Sequence, residues 1–250
     1  MPTIDTDGVR IHYKDTGPGS NAAPIVLIHG FSSSLDGNWR ASGWMDVLAS
    51  AGRRVVALDC RGHGSSAKPH DPEAYSGMRM AEDVLAVMDA CGLEKADLMG
   101  YSMGAGIALD LALHHPQRFR SLIMGGAGHR APSAAAVRQA ARLERATPDN
   151  PAGFNEEALA RYRQRGNDLE ALAAVRLRQR PERDEAAIKR VHLPLLIVVG
   201  ERDGALSAAR KLESLVPHAE LEVLPGEDHL SAVASEDFKA AVLAFLSRQQ

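Results

Sequence analysis

Short, wholly apolar runs separated by amphipathic stretches constrain this chain more than any other feature. Pro24 to Ile28, Val55 to Leu58, Ala96 to Met99, Ser121 to Met124 and Leu193 to Val199 are almost free of polar side chains. A strand that faces water on one side alternates apolar with polar residues. One covered on both faces reads as a continuous apolar run. Between the runs, Trp44 to Ser50, Met80 to Asp89 and Met103 to Leu113 place apolar residues at helical spacing, with Pro116 stopping the third helix. Strands alternating with helices predict an α/β fold, a mainly parallel sheet with right-handed crossovers, whose ligands bind at the carboxyl ends of the strands.

The N-terminal residues depart from this pattern. Thr3 to Asp5, a Thr6-Asp7-Gly8 turn and Val9 to Lys14, with Val9, Ile11 and Tyr13 alternating against polar residues, predict a hairpin. The alternation also breaks between about Gly126 and Ala187. That stretch is rich in Ala, Arg, Gln and Glu, and is punctuated by Pro132, Thr147-Pro148, Pro151 and Pro181. A strand-to-strand connection of this length is expected to cover something. The predicted organisation is therefore a core formed by residues 1–125 and 188–250, interrupted by a helical insertion at 126–187. Ser207 to Val216, Ala219 to Leu224 and a helix from about Ser235 to Arg248 complete the core.

Composition narrows the partners. With 45% apolar residues, 24% charged residues and a formal net charge of -3, nothing points to nucleic acid or an anionic membrane. The longest apolar run is too short to span a bilayer. Met1 to Asp5 shows no basic segment followed by an apolar one, and Cys60 and Cys91 form neither a disulfide framework nor a paired zinc motif. The expectation is a cytoplasmic protein with no metal or cofactor; the oligomeric state is not readable.

Chemistry concentrates where apolar strands end. Gly100-Tyr101-Ser102-Met103-Gly104 sets one serine between two glycines at a strand-to-helix junction, where a strained turn would lift the hydroxyl clear of the backbone. An ordinary helix N-cap is the bland alternative for Ser102. A serine hydroxyl needs a base to take its proton and a carboxylate to orient that base. His229, in Gly226-Glu227-Asp228-His229, and Asp203, in Gly200-Glu201-Arg202-Asp203, fit those roles. Glu201 is a rival acid, and Asp228, being adjacent to His229, is poorly placed to orient it. Backbone N–H groups of Phe31, after the strand ending at His29-Gly30, and of Met103 are the expected oxyanion donors. Met103 also opens a helix, whose dipole favours negative charge.

With these motifs and Asp59-Cys60-Arg61-Gly62-His63-Gly64 in order, the chain from Val9 to Leu246 resembles the α/β-hydrolase fold superfamily, particularly its small cofactor-free bacterial serine esterases and lactonases. The resemblance implies an eight-stranded-type sheet and a cap within the insertion. It implies hydrolysis of a small-molecule ester or lactone through an acyl-enzyme formed by Ser102, Asp203 and His229. Relatives that carry the acid after the sixth strand do not match here, because Gly125-Gly126-Ala127-Gly128 holds no carboxylate, which favours Asp203. Carbon-carbon bond hydrolases, thioesterases, perhydrolases and slow small-molecule receptors share the constellation. Epoxide and haloalkane chemistry would need an aspartate where this chain has Ser102.

For the pocket wall, His29, Trp39, Tyr101 and His129 are the candidates, while His63 and also His29 read as loop braces. Phe31, Trp39, Trp44 and Met103 predict an apolar pocket that prefers uncharged acyl groups. Between Gly126 and Arg190 stand 13 Lys or Arg and 9 Asp or Glu. Solvated helix faces explain that excess more simply than an anion-attracting lid.

Overall fold

The computed structural model describes residues 2–17, 19, 22–129, 145–181 and 183–249. Its centre is an eight-stranded sheet in the order β1-β2-β4-β3-β5-β6-β7-β8. β1 (Thr3–Thr6) and β2 (Val9–Asp15) form the expected hairpin, and β2 runs antiparallel to β4 (Val55–Leu58). From β4 onward the pairing is parallel through β3 (Ile25–Ile28), β5 (Ala96–Tyr101), β6 (Phe119–Gly125), β7 (Leu195–Gly200) and β8 (Glu220–Leu224).

The apolar runs are continuous because successive side chains enter different cores. Val26, Ile28, Val56, Leu58, Ile197 and Val199 face one core, while Ile25, Leu27, Val55, Ala57, Leu196 and Val198 face the other. Helices α2 (Arg79–Ala90) and α3 (Met103–His114) cover the first face, and α1 (Trp44–Ser50) covers the second.

Among the described residues, three helices follow β6 in and at the end of the predicted insertion: α4 (Glu156–Gln164), α5 (Leu169–Leu177) and the short α6 (Glu185–Ile188). Each begins at a side-chain cap, with Asn155, Asp168 and Asp184 accepting the N–H of Ala158, Ala171 and Ala187. Pro132, expected to break a helix, lies outside the described residues. The core resumes with β7, α7 (Leu206–Leu215), β8 and α8 (Glu236–Ser247). α7 packs on the first face and α8 on the second.

The chain passes from β3 outward to β4 and then returns to place β5 on the other side of β3. Loops leaving β3 and β5 therefore diverge, opening a crevice at the carboxyl ends of the two strands. Ser102 and the Gly30-Phe31 loop stand at that crevice. Among the described residues, no helix is long and apolar enough to cross a membrane.

Candidate active site

Ser102 leaves β5 with φ 53 and ψ −106, a backbone conformation rare for a residue with a side chain. The strain is held by close packing that only glycine permits. A Cβ on Gly104 would lie 2.0 Å from the Ile28 carbonyl oxygen, and one on Gly100 would lie 2.3 Å from that of Gly104. The Ser102 N–H donates to Gly125 O at 2.7 Å, tying the turn to β6. Its hydroxyl makes no cap to α3, so the bland N-cap reading is not realised.

The hydroxyl instead meets His229, with Oγ 2.9 Å from Nε2. On the far side of the ring, Nδ1 lies 2.7 Å from Asp203 Oδ2. Asp203 is 6% exposed, and its other carboxylate oxygen accepts the Ala205 N–H at 2.8 Å. The loops bearing Asp203 and His229 are joined where Arg202 N–H donates to Glu227 O at 2.9 Å. The rival acids are occupied elsewhere. Glu201 accepts the Gly226 N–H, and Asp228 accepts those of Leu230 and Ser231.

Phe31 follows β3 beside this group. The Gly30 N–H donates to Asn38 Oδ1 at 2.7 Å, which fixes the loop just before Phe31. Met103 is the first residue of α3, where a helix has no internal acceptor for its N–H.

The four expected wall residues separate. Tyr101 lines the cavity, and its hydroxyl donates to the His229 carbonyl at 2.8 Å, so it also braces the loop that carries the base. His29 is a brace rather than a wall residue. It is fully buried, donates from Nδ1 to Gly30 O at 2.7 Å, and accepts the Cys60 N–H on Nε2 at 3.0 Å. Trp39 is a correction. It packs edge-on against Trp44, which in turn meets Phe238, deep in the second core, because the apolar indole is better buried under the sheet than at a wet crevice. His129 is likewise a correction: it is 4% exposed, its N–H donates to Ala208 O at 3.0 Å, and it packs toward α7 outside the cavity. His63 is fully buried, its Nδ1 3.1 Å from Arg61 O.

Burial holds His29 and His63 below the usual histidine range, since a charged imidazole there would lose its hydration. Among the described residues no group of three or more His, Cys, Asp or Glu side chains is placed to hold a metal ion.

The cavity over Ser102 measures about 720 Å³. Its floor is the crevice itself, and its far wall includes Tyr162, Asn167 and Arg176 from the segment after β6. Phe31 is clasped there by Phe154 and Tyr162, with ring centroids 6.0 and 5.7 Å away. Lys68, Arg161 and Arg165 also line the cavity, and no Asp or Glu among the described residues does. Phe31 lines the cavity as expected, whereas Trp39 and Trp44 do not, because both indoles are in the core. Sequence reasoning missed Asn38, Tyr162, Asn167 and Arg176. The local excess of arginine was the available signal, but which arginines face inward depends on helix orientation. A shallower depression of about 410 Å³ at Asp89, Glu94 and Arg118 lies toward the opposite end of β5 and contains none of these groups.

Known proteins give the same architecture with varied chemistry. A 2-hydroxymuconate semialdehyde hydrolase from Pseudomonas sp. (strain CF600) is 41% identical over 124 residues, covering 48% of this chain and 41% of that protein. Epoxide hydrolase 3 from Siraitia grosvenorii is 35% identical over 122 residues, covering 48% of this chain and 36% of its own length. The matched stretch thus spans about two fifths of these curated relatives. The crystal structure of the enol-lactonase from Burkholderia xenovorans LB400 superimposes with a TM-score of 0.75 at 25% identity, covering 98% of this chain and 100% of that one. The family model for the alpha/beta hydrolase fold matches residues 23–184. With that match and the eight-stranded sheet, the chain belongs to the alpha/beta hydrolase fold family.

Proposed function

We propose that this protein cleaves an ester or lactone of a small molecule through an acyl-enzyme on Ser102. The observation that carries the reading is the unbroken relay from Ser102 Oγ to His229 Nε2 and from His229 Nδ1 to Asp203 Oδ2, at 2.9 and 2.7 Å, beginning at a strained serine.

In this mechanism His229 Nε2 takes the hydroxyl proton as Ser102 attacks the carbonyl carbon. The His229 Nδ1–H donates to Asp203, which holds the tautomer and stabilises the imidazolium. The Phe31 and Met103 amides hold the oxyanion, and being fixed by loop and helix they need no reorientation as charge develops. His229 then protonates the leaving alkoxide. A water, deprotonated by the same nitrogen, releases the acid. Residues 126–187 act as a cap in this reading, supported by the contribution of Tyr162, Asn167 and Arg176 to the cavity wall.

Fluorophosphonate labelling and a panel of esters, lactones and thioesters test the proposal. Ser102→Ala is expected to abolish labelling and to lower kcat by at least about 10⁴-fold on any substrate turned over. Full activity in that variant would sink the reading.

Carbon-carbon bond hydrolysis is the second reading, favoured by the similarity to the 2-hydroxymuconate semialdehyde hydrolase. Turnover of that semialdehyde with kcat/KM above that of every ester and lactone would select it. Epoxide opening is not proposed, since the attacking position carries Ser102 rather than a carboxylate.

A further inference from the structure

We propose that the cavity over Ser102 selects substrates bearing a carboxylate, and that Arg176 holds that group; the proposal rests on Ser102 as nucleophile. The guanidinium of Arg176 lies with its central carbon 4.0 Å from the centroid of the Phe31 ring. Its Nε is buried with no hydrogen-bond partner. No carboxylate pairs with it among the described residues, and the Tyr162 side chain is the polar neighbour that supports its charge.

Burial lowers the basicity of Arg176, and the resulting loss of hydration is not offset by an ion pair. Stacking on Phe31 offsets a part of it. Arg178, two residues further on, is buried as well, and burial with the like charges of Arg180, Arg183 and Arg176 lowers its basicity. A guanidinium in this condition presents a planar fork of donors suited to bidentate contact with a carboxylate.

Among the described residues, the other charged side chains of the wall have the same sign. Lys68 donates to the carbonyls of Gly64 and Ser66 and meets no acid, and Arg165 is exposed with no acidic partner among the described residues. Arg161 shares its charge with the exposed Glu157 at 3.2 Å. A concave wall carrying one sign of charge concentrates counter-ions within it. Phe31 links the two functions directly: its amide is an oxyanion donor in the proposed mechanism, and its ring lies under the guanidinium. The bound carboxylate is therefore separated from the scissile carbonyl by a short spacer, as in a half-ester of a dicarboxylic acid or a lactone with a carboxyl side arm.

The test compares phenyl half-esters of glutaric, adipic and pimelic acids with the same esters methyl-capped at the free carboxyl, following phenol release per fluorophosphonate-titrated site. The expected result is a kcat/KM at least about tenfold higher for the best half-ester than for its capped partner. That ratio should fall with added salt and drop to about one in Arg176→Met, with Arg176→Lys between. Equal rates in the unaltered protein, or a ratio unchanged in Arg176→Met, overturn the carboxylate site while leaving the Ser102 mechanism intact. If Ser102 is not labelled and no acyl substrate turns over, the mechanism fails instead. Calorimetric titration with adipate then decides the site: saturable binding lost in Arg176→Met supports it, and no binding overturns it.

Discussion

Backbone geometry builds the floor of the cavity, whereas side chains on short capped helices build its far wall. Ser102, the Phe31 amide and the loops of Asp203 and His229 all leave the ends of parallel strands whose ladders fix their spacing. Across from them, Tyr162 and Arg176 project from α4 and α5, nine-residue helices that no sheet pairing holds. The floor tolerates little change because its groups must meet within hydrogen-bond distance. The wall can vary in residue type without disturbing the relay, which is how one fold accommodates relatives with the different substrates their names describe.

The sharpest way to break this contrast is at Gly104. A methyl group there would meet the Ile28 carbonyl at 2.0 Å, a backbone atom that cannot turn aside. Gly104→Ala is expected to destabilise the fold by about 3 kcal/mol, read as a lowered urea midpoint, and to depress activity with it. A variant of unchanged stability would show that close packing at the turn is not what holds Ser102 in place.

A pH titration of stability probes the floor more gently. His29 and His63 are buried and held below the usual histidine range, so the folded state binds fewer protons than the unfolded chain once pH drops below about 6.5. Stability should be full above that value and decline as pH falls toward 5. Protonating His29 also removes the acceptor of the Cys60 N–H. His70, raised by Asp168 and Glu170, works in the opposite sense, but its half-exposed ion pairs contribute little. Urea unfolding between pH 7.5 and 5 measures the balance, and a flat profile would contradict it.

The smallest effect belongs to the wall. Asn155→Ala removes the cap that accepts the Ala158 N–H and should cost about 1 kcal/mol. Hydrogen exchange is expected to quicken across Glu156–Gln164 and to leave the sheet amides unchanged. Faster exchange throughout the sheet would mean that the two regions unfold as one unit.

Legibility followed the same division. The strands, the crossover helices and the Ser102, Asp203 and His229 set could be read because each depends on local pattern: apolar runs, helical spacing, and glycines at sharp turns. Even the choice of Asp203 over Glu201 and Asp228 follows from loop position, and the hydrogen bonds of the rivals agree with it. The wall was misread for a physical reason. Trp39 and Trp44 are as hydrophobic in a pocket as in a core, and only the sheet's second face shows where they were drawn. His29 and His129 gave no sign of which backbone groups they would meet.

The amino-acid order by itself determined the alternating architecture and the motifs of Ser102, Asp203 and His229 at the strand ends, since both are encoded in neighbouring residues and in turns that demand glycine. Only the tertiary structure decided that Arg176 stands over Phe31, that Tyr101 braces the base loop and that the cavity is basic. Those facts depend on how residues far apart in the chain, 128 positions for Tyr101 and His229, are brought face to face, and no local pattern carries that information.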